Sequence, residues 1–142
     1  MSKRTVLLVE DNPQDELLIL RALRKAHVRA KIDVVRDGQQ AVDYLRRTGE
    51  FSNRQEGLPA LVLLDINLPK LSGFDVLSRV RAEPDTRLLP VVMFTSSDED
   101  RDRLRAYSTG ANSFVSKPVE FAEFIASTGQ LGSYWLDTNV PP

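Results

Sequence analysis

Five short apolar runs set the strongest limit on what this chain can fold into. They are Val6–Val9, Ile32–Val35, Leu61–Leu64, Val91–Phe94 and Phe114–Val115, and each leads into a longer stretch with apolar residues at helical spacing. LVLL at 61–64 and VVMF at 91–94 carry no polar alternation, as expected of strands buried on both faces. The repeating strand–helix order predicts five βα units in an α/β fold. Their parallel sheet is doubly wound, with helices on both faces and right-handed crossovers.

Helices are predicted over Pro13–Ala26, Gly38–Arg47, Ser72–Glu83, Asp98–Thr109 and Val119–Leu136. In the first, Leu17, Leu18, Leu20, Leu23 and Ala26 recur at roughly helical spacing, Pro13 suits a first-turn position and Asn12 suits the N-cap. Gly129 and Gly132 interrupt the last helix before Tyr134, Trp135 and Leu136. A helix-interior glycine costs about 1 kcal/mol, so a kink or a close packing contact is expected there. TGEFSNRQEGLP at 48–59 reads as a surface loop.

The 142 residues suffice for one compact domain with its own core, and there is no cysteine, which excludes disulfides, thiolate metal sites and a cysteine nucleophile. The N-terminal apolar run is too short for a signal peptide or a membrane span, so a cytoplasmic protein is expected. With 19 basic and 20 acidic residues interspersed, no field favours nucleic acid. Function must then reside in a site.

Ligands of parallel sheets bind where the strands end at their carboxyl edge. Here Glu10 and Asp11 follow the first run, Asp65 and Asn67 the third, Thr95 and Ser96 the fourth, and Lys117-Pro118 the fifth. If the first and third strands are neighbours, Glu10, Asp11 and Asp65 crowd together and repel unless a cation intervenes. Oxygen-only ligands favour Mg²⁺ (or Mn²⁺), with Asp11 and Asp65 as direct ligands. The ion would prepare Asp65 as a nucleophile for phosphoryl transfer, and Lys117 adds a second positive charge. The Thr95 hydroxyl and the backbone N–H groups of Ile66 and Ser96 can donate to phosphoryl oxygens.

VEDN, LLDINLPKLSG, VVMFTSS and SFVSKP, at the ends of the first, third, fourth and fifth runs, resemble the receiver domains of two-component response regulators. The resemblance spans residues 4–126, leaving 127–142 as a helical tail of the same single domain, too few residues for a DNA-binding domain. It implies a flavodoxin-like sheet in the order 2-1-3-4-5, with Glu10 and Asp11 as the acidic pair, Asp65 as phosphoacceptor and Lys117 as the site lysine. Asn67 would offer its backbone carbonyl to the metal, Thr95 would be the switch hydroxyl and Phe114 the rotating aromatic. Lys117-Pro118 resembles a bond that is cis in this family, and proline lowers the cis penalty to about 1 kcal/mol or less. The implied donor is a histidine kinase, and the 48–59 loop with the QLGSYWL tail resembles the single-domain regulators that partner phytochrome-type kinases.

Taken singly these residues have plainer explanations: Asp65 as a loop or capping residue, Lys117 as a solvated lysine, Thr95 as a strand-end hydroxyl, Phe114 as a core aromatic. Their joint spacing favours the site. Gly73 is read as a backbone requirement, His27 as a surface or C-cap residue, and DEDRDRLR at 98–105 as a solvated helix face. A dehalogenase-like phosphatase would want a second Asp where Asn67 stands, and Asn67 cannot titrate. A flavodoxin would want neutral donors where EDNPQD stands. A receiver-like scaffold that is never phosphorylated is the third alternative. The expected protein is therefore no enzyme beyond its own phosphorylation and dephosphorylation. Tyr134, Trp135 and Leu136 fit either an interface or packing against the domain's own core, and a homodimer is expected.

Overall fold

A computed structural model describes residues 4–142. The strands are β1 (Arg4–Val9), β2 (Ala30–Val35), β3 (Leu61–Leu64), β4 (Val91–Thr95) and β5 (Ser113–Ser116), all parallel, in the order β2-β1-β3-β4-β5. The five βα units and the strand order expected from the sequence are both present. β1 pairs with β3 from Val6–Leu61 to Val9–Leu64, so Glu10 and Asp65 leave the sheet side by side. Backbone bonds continue past the strands, with Glu10 N–H donating to Val35 O at 3.0 Å and Asp65 N–H to Val9 O at 3.2 Å.

The helices are α1 (Pro13–Lys25), α2 (Gly38–Arg46), α3 (Gly73–Ala82), α4 (Asp100–Thr109) and α5 (Phe121–Ser133), followed by a π-helical turn over Tyr134–Thr138. Side chains alternate along each strand and so feed two cores. Leu7, Val9, Val62, Leu64 and Met93 meet α2, α3 and Ala106 of α4, whereas Val6, Leu8, Leu63, Val92 and Phe94 meet α1 and α5.

Helix ends differ from the sequence expectation by one to three residues wherever a cap intervenes. α1 starts as expected, with the Asn12 carbonyl oxygen of the side chain accepting from Gln14 N–H and Asp15 N–H. It stops at Lys25 because His27, at φ 58°, takes the left-handed conformation of a C-terminal cap. Ser72 caps α3 in a capping box with Asp75, so the helix begins at Gly73. α4 begins at Asp100 rather than Asp98, since Ser97 Oγ donates to Asp102 Oδ2 at 2.6 Å and accepts from Glu99 N–H at 3.3 Å, shaping the preceding turn. α5 begins at Phe121 rather than Val119, because the Glu120 carboxylate accepts from Ala122 N–H and Glu123 N–H.

The glycines of α5 serve close packing. A Cβ on Gly132 would lie 2.5 Å from Leu23 Cδ2, and one on Gly129 would lie 3.2 Å from Ala26 Cβ. The π turn, closed by Asn139 N–H on Tyr134 O, lets Leu131 and Leu136 both reach the core. The aromatic end of the chain is thus only partly exposed: Leu136 is buried, Trp135 packs against the core, and Tyr134 stacks on Trp135 at 5.2 Å while remaining exposed. α4 is the opposite case. Ala106 is its one buried residue, and Arg81 ties its C-terminal end down by donating to Gly110 O and Asn112 Oδ1, each at 2.8 Å.

The 48–59 segment contains a single 3₁₀ turn, Gly49–Phe51, and is fastened by Arg54. The guanidinium lies 3.9 Å over the Tyr44 ring and donates to the carbonyls of Tyr44, Glu56 and Gly57. Tyr44 OH donates in turn to Asp33 Oδ2 at 2.6 Å. Burial, and then the Asp33 contact, push the Tyr44 phenol above its ordinary pKa. The folded state therefore favours the neutral phenol. Its contribution is complete below about pH 10 and fades as pH rises through the folded-state value. Tyr44→Phe should cost about 1.5–3 kcal/mol near neutral pH, the range for a hydrogen bond to a charged group. It should also shed part of the alkaline loss of stability. Urea denaturation at neutral and alkaline pH would check this, and an unchanged alkaline slope in the variant would contradict it.

Candidate functional site

Three loops converge on the carboxyl edge of β1, β3 and β5. From β1 come Glu10, which is 1% exposed, and Asp11, which is exposed; β3 brings Asp65, 7% exposed; β5 brings the buried Lys117. One carboxylate oxygen from each of Glu10, Asp11 and Asp65 falls within 4.8 Å of the others. This is the cluster expected from the sequence.

Lys117 Nζ lies 2.6 Å from Glu10 Oε1, 2.9 Å from Asp65 Oδ2 and 2.9 Å from Asp15 Oδ2. Its main chain is fixed by donation from Lys117 N–H to Thr95 O at 2.7 Å. The Lys117–Pro118 bond, whose isomer the sequence leaves open, is trans. Burial works against the Lys117 ammonium, yet the carboxylates of Asp65, Glu10 and Asp15 outweigh it and hold its pKa above the ordinary lysine value. Burial acts the other way on Glu10, pushing its carboxyl up to about 7 even though Lys117 opposes the rise. Asp65 Oδ1 accepts from Ile66 N–H at 2.7 Å, and Glu10 Oε2 accepts from Asn12 N–H at 3.1 Å. Among the described residues no cation pairs with Asp11.

Asp15 was missed by sequence reasoning. An acid in the first turn of a helix already has an explanation in the helix dipole. The signal lay in EDNPQD: Asn12 and Pro13 fix the start of α1 at this sheet edge, which places Asp15 over the site.

The remaining expected residues surround the cluster without hydrogen-bonding to it through their side chains. Thr95 is fully buried at the end of β4, and its Oγ1 receives only a long 3.4 Å contact from Ser97 N–H. Asn67 and Ser96 are exposed and, with Ile66, line a groove of about 680 Å³ that runs toward Arg101 and Arg105 of α4. The Ile66 N–H, expected to be free for a phosphoryl oxygen, is held by the Asp65 carboxylate itself. Phe114 is half-buried against the core and shares a sheet face with Thr95, whose register partner is Ser116 two residues on. Its N–H donates to Tyr107 Oη at 3.2 Å. A second cleft, of about 720 Å³, opens at the opposite sheet edge among Leu58, Leu88 and Pro90, away from this acidic cluster.

An acidic pocket and a buried lysine at the carboxyl edge of a 2-1-3-4-5 sheet define the receiver class. The chain matches the response regulator receiver domain family over residues 6–128 and belongs to that family. It is 41% identical, over 96% of its length and 86% of the relative's, to the probable methanogenesis regulatory protein FilR2 of Methanothrix harundinacea (strain 6Ac). Among solved structures it is similar to the phosphorylated cyanobacterial phytochrome response regulator RcpA, with 33% identity, a TM-score of 0.92 and 99% of each chain covered. It is also similar to the Mn²⁺-bound form of response regulator Rcp1, a Synechocystis sp. (strain ATCC 27184 / PCC 6803 / Kazusa) protein, at 32% identity and a TM-score of 0.91, covering 98% of this chain and 99% of that one. The Glu10, Asp11 and Asp65 oxygens are the hard, anionic donors that a divalent cation takes.

Gly73 holds the Asp65 loop in place. A Cβ there would sit 2.1 Å from Asp65 O and 2.8 Å from Ile66 Cα, and Gly73 N–H donates to Ile66 O at 2.8 Å. The requirement is close approach of two backbones, in keeping with its reading as a backbone residue. Gly73→Ala should destabilise the protein by about 1–3 kcal/mol, as overpacking does, despite the better helix propensity of alanine. Chemical denaturation would measure this, and a neutral or stabilising result would refute the contact.

Proposed function

We propose that Asp65 accepts a phosphoryl group from a phosphohistidine of a histidine kinase. The observation that carries this reading is the pairing of Asp65 Oδ2 with Lys117 Nζ at 2.9 Å inside the acidic cluster. Glu10, Asp11, Asp65 and the Asn67 carbonyl would hold the cation. A bound Mg²⁺, or Mn²⁺, supplies charge neutralisation for the incoming phosphoryl oxygens. An Asp65 carboxylate oxygen attacks phosphorus, the new P–O bond forms as the P–N bond to imidazole breaks, and the imidazole leaves with the bonding pair. Lys117 offsets charge on the phosphoryl oxygens. Thr95 Oγ1 and the N–H groups of Ile66 and Ser96 complete their hydrogen bonding, the Ile66 N–H by leaving the carboxylate it now serves.

Thr95 moves toward the phosphoryl group, Phe114 turns into the space on their shared sheet face, and the β4–α4–β5 surface changes shape. The chain acts on no substrate but its own phosphoryl group. The cytoplasm, where ATP-fed kinases work, is the proposed compartment. A phytochrome-type kinase is the proposed donor, supported by the likeness to RcpA across nearly the whole of both chains. Exposed Leu17 of α1, and Val119 and Phe121 in the segment after Lys117, would offer the kinase an apolar footing. The proposed homodimer would use the exposed Tyr134 end of α5. A monomeric mass persisting in solution after phosphorylation would overturn it.

Intact-protein mass spectrometry after incubation with acetyl phosphate tests the acceptor. A Mg²⁺-dependent phosphoryl adduct is expected on the wild type and none on Asp65→Asn. An adduct of equal yield on Asp65→Asn would refute the assignment, and no adduct on either protein would favour a scaffold that acts by binding alone.

A further inference from the structure

An ammonium group has three N–H donors, and Lys117 spends one on each of Glu10, Asp65 and Asp15, at 2.6, 2.9 and 2.9 Å. The donor set is full. To reach a phosphoryl oxygen on Asp65, Lys117 must give up one carboxylate, and the three are unequal. Glu10 is 1% exposed, so its release would leave a buried charge unpaired. Asp65 is the residue that carries the phosphoryl group. Asp15 has a side chain 23% exposed, so water can replace the lysine, and its place in the first turn of α1 keeps its charge favourable without a partner. Asp15 also stands outside the three carboxylates that converge for a cation.

We infer that Asp15 is a positioning residue for phosphoryl transfer: it holds the third N–H of Lys117 in the resting site and surrenders it to the incoming phosphoryl group. This rests on the assignment of Asp65 as acceptor. Two consequences of opposite sign follow. Asp15 competes with the phosphoryl group for Lys117, so removing it frees the lysine and raises the maximal rate of phosphorylation. Its negative charge also assists cation binding, so removing it raises the Mg²⁺ concentration needed for half-maximal rate.

The experiment measures acetyl phosphate labelling against Mg²⁺ concentration for wild type, Asp15→Ala and Asp15→Asn, with circular dichroism and a thermal midpoint for each. Asp15→Ala is expected to raise the saturating rate about threefold or more, a fraction of a charge-assisted hydrogen bond, and to raise half-saturating Mg²⁺ by a similar factor. Asp15→Asn keeps an acceptor but loses the charge, so its half-saturation should shift as in Asp15→Ala while its rate rises less. A folded Asp15→Ala with wild-type rate and Mg²⁺ dependence overturns the inference, as does a fall in rate, which marks a merely structural role. Should Asp15→Ala fail to fold, Asp15→Asn decides by its half-saturation. An unlabelled wild type overturns the acceptor assignment and this inference together, whereas a labelled wild type with unresponsive Asp15 variants overturns this inference alone.

Discussion

The Lys117 ammonium is the contact on which the carboxyl edge of the sheet depends. Glu10 and Asp65 are delivered there by adjacent strands and are almost fully shielded from water, and the lysine offsets the cost of burying the two carboxyl groups side by side. Removing one partner of a buried ion pair generally costs about 3–5 kcal/mol, because the other is left uncompensated. The lysine comes from the far edge of the sheet, and its reach over β3 ties the first, third and fifth βα units into one site. All three N–H donors of the lysine are engaged by carboxylates in this arrangement.

The rest of the fold makes those positions rigid. Every residue of β3 and β4 is buried, so neither strand can slide without carrying apolar side chains out of both cores. Gly73 presses the start of α3 against the Asp65 carbonyl, and the glycines of α5 let it lie close on α1. Both contacts are steric, which is why each needs a residue without a side chain.

Most of this architecture was legible in the sequence because burial on both faces leaves an unmistakable run of apolar residues, and strand ends in parallel sheets are where ligands bind. Asp65, Lys117, Glu10 and Asp11 were found by that logic. What was not legible depends on contacts between segments far apart in the chain. Asp15 had a sufficient local explanation at a helix start. The 48–59 segment looked like loose surface chain, yet Arg54 pins it through an aromatic face and several carbonyls that no spacing rule connects. The apolar cluster at 134–136 fitted an interface and core packing equally well, and the π turn settles Leu136 as core. A five-residue interval between Leu131 and Leu136 has no place in an ordinary helical repeat, so periodicity could not assign it.

The slight anchoring of α4 has a consequence for how the molecule fluctuates. Local opening free energy scales with the apolar surface that an element keeps from water, and α4 keeps little beyond Ala106. Its amide protons should exchange with solvent by small openings that leave the sheet intact, while those of β3 and β4 exchange only when the whole domain unfolds. Because Arg81 grips the C-terminal end and Ser97 with Asp102 the other, opening need not free both ends at once. The helix buries fewer of its residues than any of the other four and is fastened at its two ends beside strands that are buried throughout.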